Sequence, residues 1–373
     1  EIYLPDSLLS SECYVAFEGT SKWGAGVCVD SVSVIEKGEI SKRIEEISIK
    51  NATENFIPTG SNNNPVLQID FDVVGNYGTL RLEELTVTSL NTSDSDVNNN
   101  GVKIFYTENN LFNTNNQIGS STDFNNGIAT FTDINKDLPY GVSTIWITYD
   151  IKNDVNHEMH GNIADAMIEE DNIVINGNKF PYNDNSPEGS RNIYESLTFD
   201  NFSGEKGWSF GGSFEKDKPQ GLGSGGYYSP DPVKAFNGDT IIGTDLTDDG
   251  NYDSNLSNRA DSAVSPPFNT KYYRDLKISF YRWLNVEYFD NAYVDYCMAD
   301  SAEWFNIWQN DGYYNDEQWQ FVSYDIPEDL NNGNEGKIRF AIGETDGGEE
   351  AGGWNIDNFA ITGRYIEKDV GVS

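Results

Sequence analysis

Apolar residues in this chain come in short runs that skip every second position, and Gly, Asn, Asp, Ser and Thr fill the gaps. A period of two puts successive side chains on opposite faces of an extended strand, whereas a helix needs a period near 3.6. Between Ile44 and about Pro181 such runs occupy 47–49, 66–71, 80–82, 85–87, 102–106, 129–131, 144–149 and 173–175. A second series follows a long loop-rich region and occupies 276–283, 292–296, 319–324, 337–340 and 354–361. The pattern predicts an all-β protein of two sandwiches. With strands half-buried on one face, the low apolar share of 37% still supplies a core.

One phrase occurs twice. Residues 14–19 and 24–34 give a strand, a Gly-rich loop and an alternating strand carrying Asp30, and residues 339–344 and 352–361 repeat the plan with Asp357. The second copy closes a long unit, whereas little chain precedes the first. The expected organisation is therefore the tail of a preceding domain at 1–38, a sandwich at 39–183, a polar linker at 184–195, a second sandwich at 196–364 and the opening of a further domain at 365–373.

Acidic residues number 61 against 24 Lys and Arg, a formal charge of −37. Binding to nucleic acid or an anionic membrane needs clustered Lys and Arg, and the sequence offers no clear cluster. A dense carboxylate surface fits a cation-rich extracellular setting, and equally serves plain solubility. No stretch is long or apolar enough to span a membrane as a helix, so neither a nucleic-acid partner nor membrane insertion is expected. Cys13, Cys28 and Cys297 have neither zinc-site spacing nor an even count. Cys297 alternates with Val294 and Tyr296 and reads as a packed thiol.

The second series carries Phe199-Asp200-Asn201-Phe202, Gly207-Trp208, Gly243-Thr244-Asp245-Leu246, Val264 to Phe268, Ile278 to Trp283, Glu287 with Asp290, Trp319, and Gly353 to Phe359. In these motifs it resembles the cleaved-adhesin or MAM-like jelly rolls appended to large secreted bacterial adhesins and proteases. The first series, with residues 65–69, 103–107, 138–141, 145–147 and Gly161-Asn162 before Asp165-Ala166, is similar to the immunoglobulin-like domain that precedes some bacterial sialidase propellers. The fold this resemblance implies is an immunoglobulin-like β-sandwich followed by a MAM-like jelly roll, with a partial jelly roll at the N-terminus. It further implies a bacterial surface or secreted protein and, as a partner, the type IX secretion machinery.

Calcium is the cofactor this resemblance implies, since hard cations take six to eight oxygens from carboxylates, amides and carbonyls held in loops. The resemblance sets an Asp of the first strand beside an Asp of the last, here Asp200 and Asp357, with the 243–245 loop closing over them. Asp200, Asp245 and Asp357 are the carboxylate candidates, and Asn201, Thr244 and Asn251 the weaker ones. Asp357 capping a turn and a solvated Asp200 are the ordinary alternative. Two segments, 96–101 and 245–250, imitate the start of an EF-hand loop but lack its twelfth-position Glu, where Thr107 and Leu256 stand.

Signs of catalysis are poor. His157 and His160 stand at i and i+3, not at the i, i+4 spacing of a zinc-protease helix, and without a differently placed third His no triad is arguable. Gly221 to Gly226 has neither the following helix nor the Lys-Ser/Thr of a phosphate loop. The segment 304–314 is richer: a loop presenting Trp304, Trp308, Tyr313 and Tyr314 beside Asn and Asp could stack on sugar rings and bond their hydroxyls. Aromatics of a small sandwich more often pack its core. The expectation is a non-catalytic surface segment that presents calcium-stabilised β-domains to a glycan or protein receptor. Accessory domains of a secreted protease or glycosidase, and a structural stalk, remain the alternatives.

Overall fold

The computed structural model describes residues 39–223, 228–298, 301–328 and 335–366. The chain divides into two compact units, Glu1–Ile40 and Ser41–Ser373. The first copy of the repeated phrase, with Cys13, Cys28 and Asp30, lies outside the described residues, as does 367–373. Within the second unit the described residues form strands, turns and loops, with a 3-10 turn at Asp94–Asp96. The all-β expectation holds.

The first sandwich has one sheet in the order Arg43–Asn51, Asn64–Val74, Gly141–Ile151, Val97–Thr107, Gln117–Thr122, antiparallel throughout. Its partner sheet centres on Arg81–Ser89, which pairs with Ala166–Met167, Ile173–Ile175, Ile128–Phe131 and Lys136–Asp137. Leu67, Ile69, Phe71, Leu82, Leu85, Val87, Ile104, Ile145, Ile147 and Tyr149 share its core. The runs 80–82 and 85–87, which read as two strands, are one. A register shift opposite Ile175 and Val174 adds one residue near Glu83, so the inward set steps by three from Leu82 to Leu85.

The stretch 184–195, expected as a linker, contains the strand Arg191–Tyr194, which pairs antiparallel with Ile163–Ala164 and parallel with Ile57–Pro58. Its polar lettering misleads because Arg191, only 3% exposed, serves the backbone. Its guanidinium donates to the carbonyls of Asn55 at 2.6 Å, Pro65 at 2.7 Å and Phe56 at 3.1 Å.

The second sandwich stacks two antiparallel sheets. One runs Phe214–Asp217, Ile241–Thr244, Gly353–Tyr365, Tyr273–Val286, with Ser196–Asp200 on the final strand and Gln320–Asp325 and Tyr314–Asn315 on Tyr273–Val286. The other runs Ser209–Gly211, Asp261–Val264, Glu335–Ile342, Ala292–Met298, Phe305–Gln309. Phe280, Leu284, Val294, Tyr296, Ile338, Phe340, Trp354, Ile356, Phe359 and Ile361 fill the space between them. Cys297 is a buried free thiol in Ala292–Met298. Tyr365 belongs to the final strand rather than to a following domain.

Candidate functional site

The final strand Gly353–Tyr365 organises the jelly roll's chemistry. Trp354 and Ile356 point into the core, then Phe359 and Ile361 do, so the alternation slips by one residue between them. The extra residue is taken up at the register shift opposite Ser279 and Tyr281, where Asn358 adopts a φ of 49°. Asn tolerates this left-handed conformation better than a branched side chain.

The opposite face of this sheet would ordinarily meet water, yet Asn285, Asn355 and Asp357 are each fully buried. The segment 228–238 covers them. It is pegged to the sheet by the Asn285 amide donating to the Ser229 carbonyl at 2.7 Å and the Trp283 indole to the Pro230 carbonyl at 3.1 Å. The Asn355 amide donates to Asp231 Oδ1 at 2.7 Å, and Phe236 stacks on Tyr281 with centroids 3.4 Å apart. Pro230 and Pro232 bracket Asp231 and favour the extended backbone such a cover requires.

The six residues nominated as calcium ligands fall into two groups. Asp200 ends its strand opposite Phe359, and its oxygens accept the Phe202 N–H at 2.9 Å and the Trp208 indole N–H at 3.0 Å. Asp357 accepts the N–H of Asn358 at 2.7 Å and that of Asn237 at 2.8 Å. Burial pushes the Asp357 carboxyl well above the usual carboxylate range; these N–H donors oppose the rise and the charge of Asp200 adds to it. Asn201 lies in the same group, donating to Asn62 of the first sandwich at 3.4 Å. N–H donors thus already meet all four carboxylate oxygens of Asp200 and Asp357.

Asp245, Thr244 and Asn251 lie apart from that pair. The loop that closes over Asp357 is the one holding Phe236 and Asn237, not 243–245 as the resemblance implied. Thr244 is buried and its hydroxyl accepts the Trp354 N–H at 3.2 Å. Asp245 has a φ of 50° and accepts the N–H groups of Asp249 and Gly250, both at 3.1 Å, in a tight turn. Asn251 donates its N–H to Asp249 at 2.9 Å. The electrostatic neighbour of Asp245 across the cover is Asp231, 2% exposed, whose carboxyl is pushed up to about 8 by burial and, secondarily, by the Asp245 charge.

The aromatic segment is not a loop: Phe305–Gln309 is a strand and Tyr314 begins a short pairing with Val286 and Asn285. Trp308 is packed against Tyr314, Tyr324 and Trp354 with centroids 5.6 to 5.8 Å away. Arg282 covers the Tyr314 ring at 4.7 Å, and Arg339 covers Trp304 at 4.4 Å. Tyr313 alone of the four is exposed, at 66%. It lines a shallow open pocket of about 380 Å³ with Tyr228, Asn315 and Glu349.

Next to this pocket the loop after Tyr273–Val286 presents Tyr288, 61% exposed, and Phe289, 68% exposed. A β-carbon on Gly312 would lie 3.5 Å from the Tyr288 ring, which places the two loops side by side. Beneath them Glu287, Asp290 and Asp346 bring carboxylate oxygens within 4.8 Å of one another. Asp290 is held by the Tyr252 hydroxyl at 2.6 Å and the Asp346 N–H at 2.8 Å. Tyr228, Tyr288, Phe289, Asn315 and Glu349 escaped the sequence reading because they come from separate loops. An adjacent Tyr288-Phe289 pair outside any alternating run was the one available signal.

No family model and no curated protein matches this chain. Among solved structures it is similar to the tandem CBM22-1–CBM22-2 domains of Paenibacillus barcinonensis Xyn10C. That match has 10% identity and a TM-score of 0.28, covering 88% of this chain and 95% of that one. It is also similar to the CBM22-1–GH10 modules of Clostridium thermocellum xylanase 10B, at 14% identity and a TM-score of 0.28, covering 45% of this chain and 28% of that one. A third likeness is to the secreted serine protease VesC of Vibrio cholerae, at 11% identity and a TM-score of 0.22, covering 83% of this chain and 48% of that one. The chain thus spans about a quarter of those xylanase modules and about half of the protease chain. At these TM-scores the ligands and activities of those proteins carry no weight for this one.

Proposed function

We propose that this chain is a non-catalytic glycan-binding segment of an extracellular protein, and that it engages sugars at the loop end of its jelly roll. The observation that carries this reading is an open pocket lined by Tyr228, Tyr313, Asn315 and Glu349, with the exposed rings of Tyr288 and Phe289 on the loop that flanks Gly312. Exposed aromatic rings offer flat apolar faces to pyranose C–H groups, and the amide and carboxylate supply acceptors and donors for hydroxyls. A globular protein gains nothing in stability by leaving three large rings more than half exposed in one place, so the cluster reads as a contact surface.

Calcium belongs to the same reading, as an ion that would tie the loops of the jelly roll to its sheet. No helix among the described residues is long and apolar enough to cross a membrane. A glycan array probed with the full chain, in calcium and in chelator, tests the proposal. Binding to a defined glycan class that Tyr313→Ala weakens supports it, and an array without a hit rejects it.

A further inference from the structure

We infer that Asp231 and Asn355, with the turn at Asp245 to Gly250, form a buried site for a hard divalent cation, Ca²⁺ in class, between the cover segment and the sheet. The inference deepens the calcium part of the proposed function and is independent of the glycan part.

Three side chains on the covered face carry oxygens with no hydrogen-bond partner among the described residues: Asp231 Oδ2, Asn355 Oδ1 and Asn285 Oδ1. Asp231 is 2% exposed and the two Asn residues are fully buried. Each of the three uses its other polar atom, Asp231 and Asn355 in a mutual bond at 2.7 Å and Asn285 on the Ser229 carbonyl. What is left over is acceptor only. A buried, unpaired carboxylate oxygen costs several kcal/mol unless a cation or a donor meets it, so a concentration of orphan acceptors around a carboxylate suits a cation.

The surroundings supply more oxygen. A β-carbon on Gly352 would lie 2.4 Å from Asp231 Oδ1 and 3.6 Å from the Gly250 carbonyl, and one on Gly243 would lie 3.1 Å from Asn355 Oδ1. Gly352 thus leaves room beside the Asp231 carboxylate and the Gly250 carbonyl, and Gly243 beside the Asn355 amide oxygen. Asp245 is close enough for its charge to act on Asp231, so two carboxylates serve one region. Carboxylate, side-chain amide and main-chain carbonyl held by an Asp-rich turn are the donor types that Ca²⁺ takes in irregular geometry. The Asp200–Asp357 pair differs, since an N–H already meets each of its oxygens.

The test is calorimetric titration of CaCl₂ into the chelator-stripped full chain, with thermal melting in parallel. Wild type, Asp231→Asn, Asp357→Asn and Asp346→Asn are compared. Asp231→Asn keeps an oxygen for the Asn355 amide and removes the charge, so a folded variant is expected. The expected result is saturable binding in the range of extracellular calcium modules, about 10⁻⁴ to 10⁻³ M, with a raised melting temperature. Asp231→Asn should weaken binding about tenfold or more and lose the thermal shift, with Asp357→Asn and Asp346→Asn close to wild type. An unchanged calcium response in Asp231→Asn overturns the site. If the response is then lost in Asp357→Asn, calcium is retained and located at the other pair. A wild type indifferent to calcium, as expected were water to satisfy these oxygens, overturns the site and the calcium reading together while leaving the glycan array to decide the rest.

Discussion

Phe236 lies flat on Tyr281, ring centroids 3.4 Å apart and planes 17° from parallel. Phe236 also meets Phe112 of the first sandwich at 4.9 Å, so one ring touches both sandwiches. Asn237 continues the seam, its side-chain amide donating to Asn62 and Asn358, while the Asn63 amide donates to Asn237 Oδ1 at 2.9 Å. This contact explains why the outer face of a jelly-roll sheet is dry. Once dry, its Asp and Asn residues must each be accounted for.

The first prediction concerns the coupling of the two sandwiches. Arg191 bonds three carbonyls of the first sandwich and lies beside the Tyr281 hydroxyl of the second. Arg191→Ala leaves buried acceptors unpaired, at about 1–3 kcal/mol each in part compensated by relaxation, so a loss of roughly 3 kcal/mol or more is expected. Urea unfolding followed by Trp fluorescence should separate into two transitions in the variant and show one in wild type. A single transition with an unshifted midpoint contradicts this.

The strands were legible in the sequence because period two survives wherever one face is buried. Legibility failed where the backbone departs from that period: at the extra residue near Glu83, and at Asn358, where the inward set passes from Ile356 to Phe359. It failed also where a polar residue works for the backbone, as Arg191 does in a stretch read as linker. The pairing of Asp200 with Asp357 comes from the family resemblance, not from the strand pattern, and the two sit on neighbouring strands, Asp200 opposite Phe359. Asp231 could not be placed, because nothing in a Pro-Asp-Pro loop tells that it folds onto Asn355 across more than a hundred residues. The same holds for Tyr228 and Glu349, which meet Tyr313 only through loop closure.

The second prediction separates contact aromatics from packing aromatics. Tyr313 is largely exposed, so Tyr313→Ala should change stability by less than about 0.5 kcal/mol. Glycan affinity should fall about tenfold, the weight of roughly 1–1.5 kcal/mol for an aromatic contact. Trp308 packs on Trp354 and Tyr324, and Trp308→Ala should cost about 3–5 kcal/mol. Chemical denaturation and calorimetry of both variants check the split. A Tyr313 variant that loses stability instead of affinity would assign the ring to packing.

The third prediction tests Asp357 as an anchor of the cover segment. Its carboxyl accepts buried backbone N–H groups from Asn237 and Asn358, and burial raises its pKa, so the folded state favours its neutral form. Asp357→Asn retains one acceptor without the charge and should lower stability less than Asp357→Ala, which orphans both N–H groups at about 1–3 kcal/mol each. Denaturation midpoints in the order wild type or Asn above Ala are expected, and Asn as damaging as Ala would show that the carboxylate form itself is required.

The last prediction follows from the sign of the Asp231 shift. Its carboxyl is raised to about 8 in the folded chain, against about 3.9 when unfolded. A raised acid contributes stability that is complete below the unfolded value and is lost as pH climbs through the folded one. In chelator, therefore, wild type should lose ground to Asp231→Asn between pH 4 and 8, by at most about 1.4 kcal/mol for each pH unit, and no further above that window. Calcium binds the ionised carboxylate and displaces its proton, so the stabilisation it confers should grow over the same range and reverse the trend in wild type only. Urea midpoints of the two proteins at pH 5 and pH 8, with and without millimolar calcium, give the four differences required. Parallel pH dependence of the two proteins in chelator would mean that Asp231 is already ionised in the folded state at pH 5, and that a protein donor, not a proton or a cation, satisfies its second oxygen.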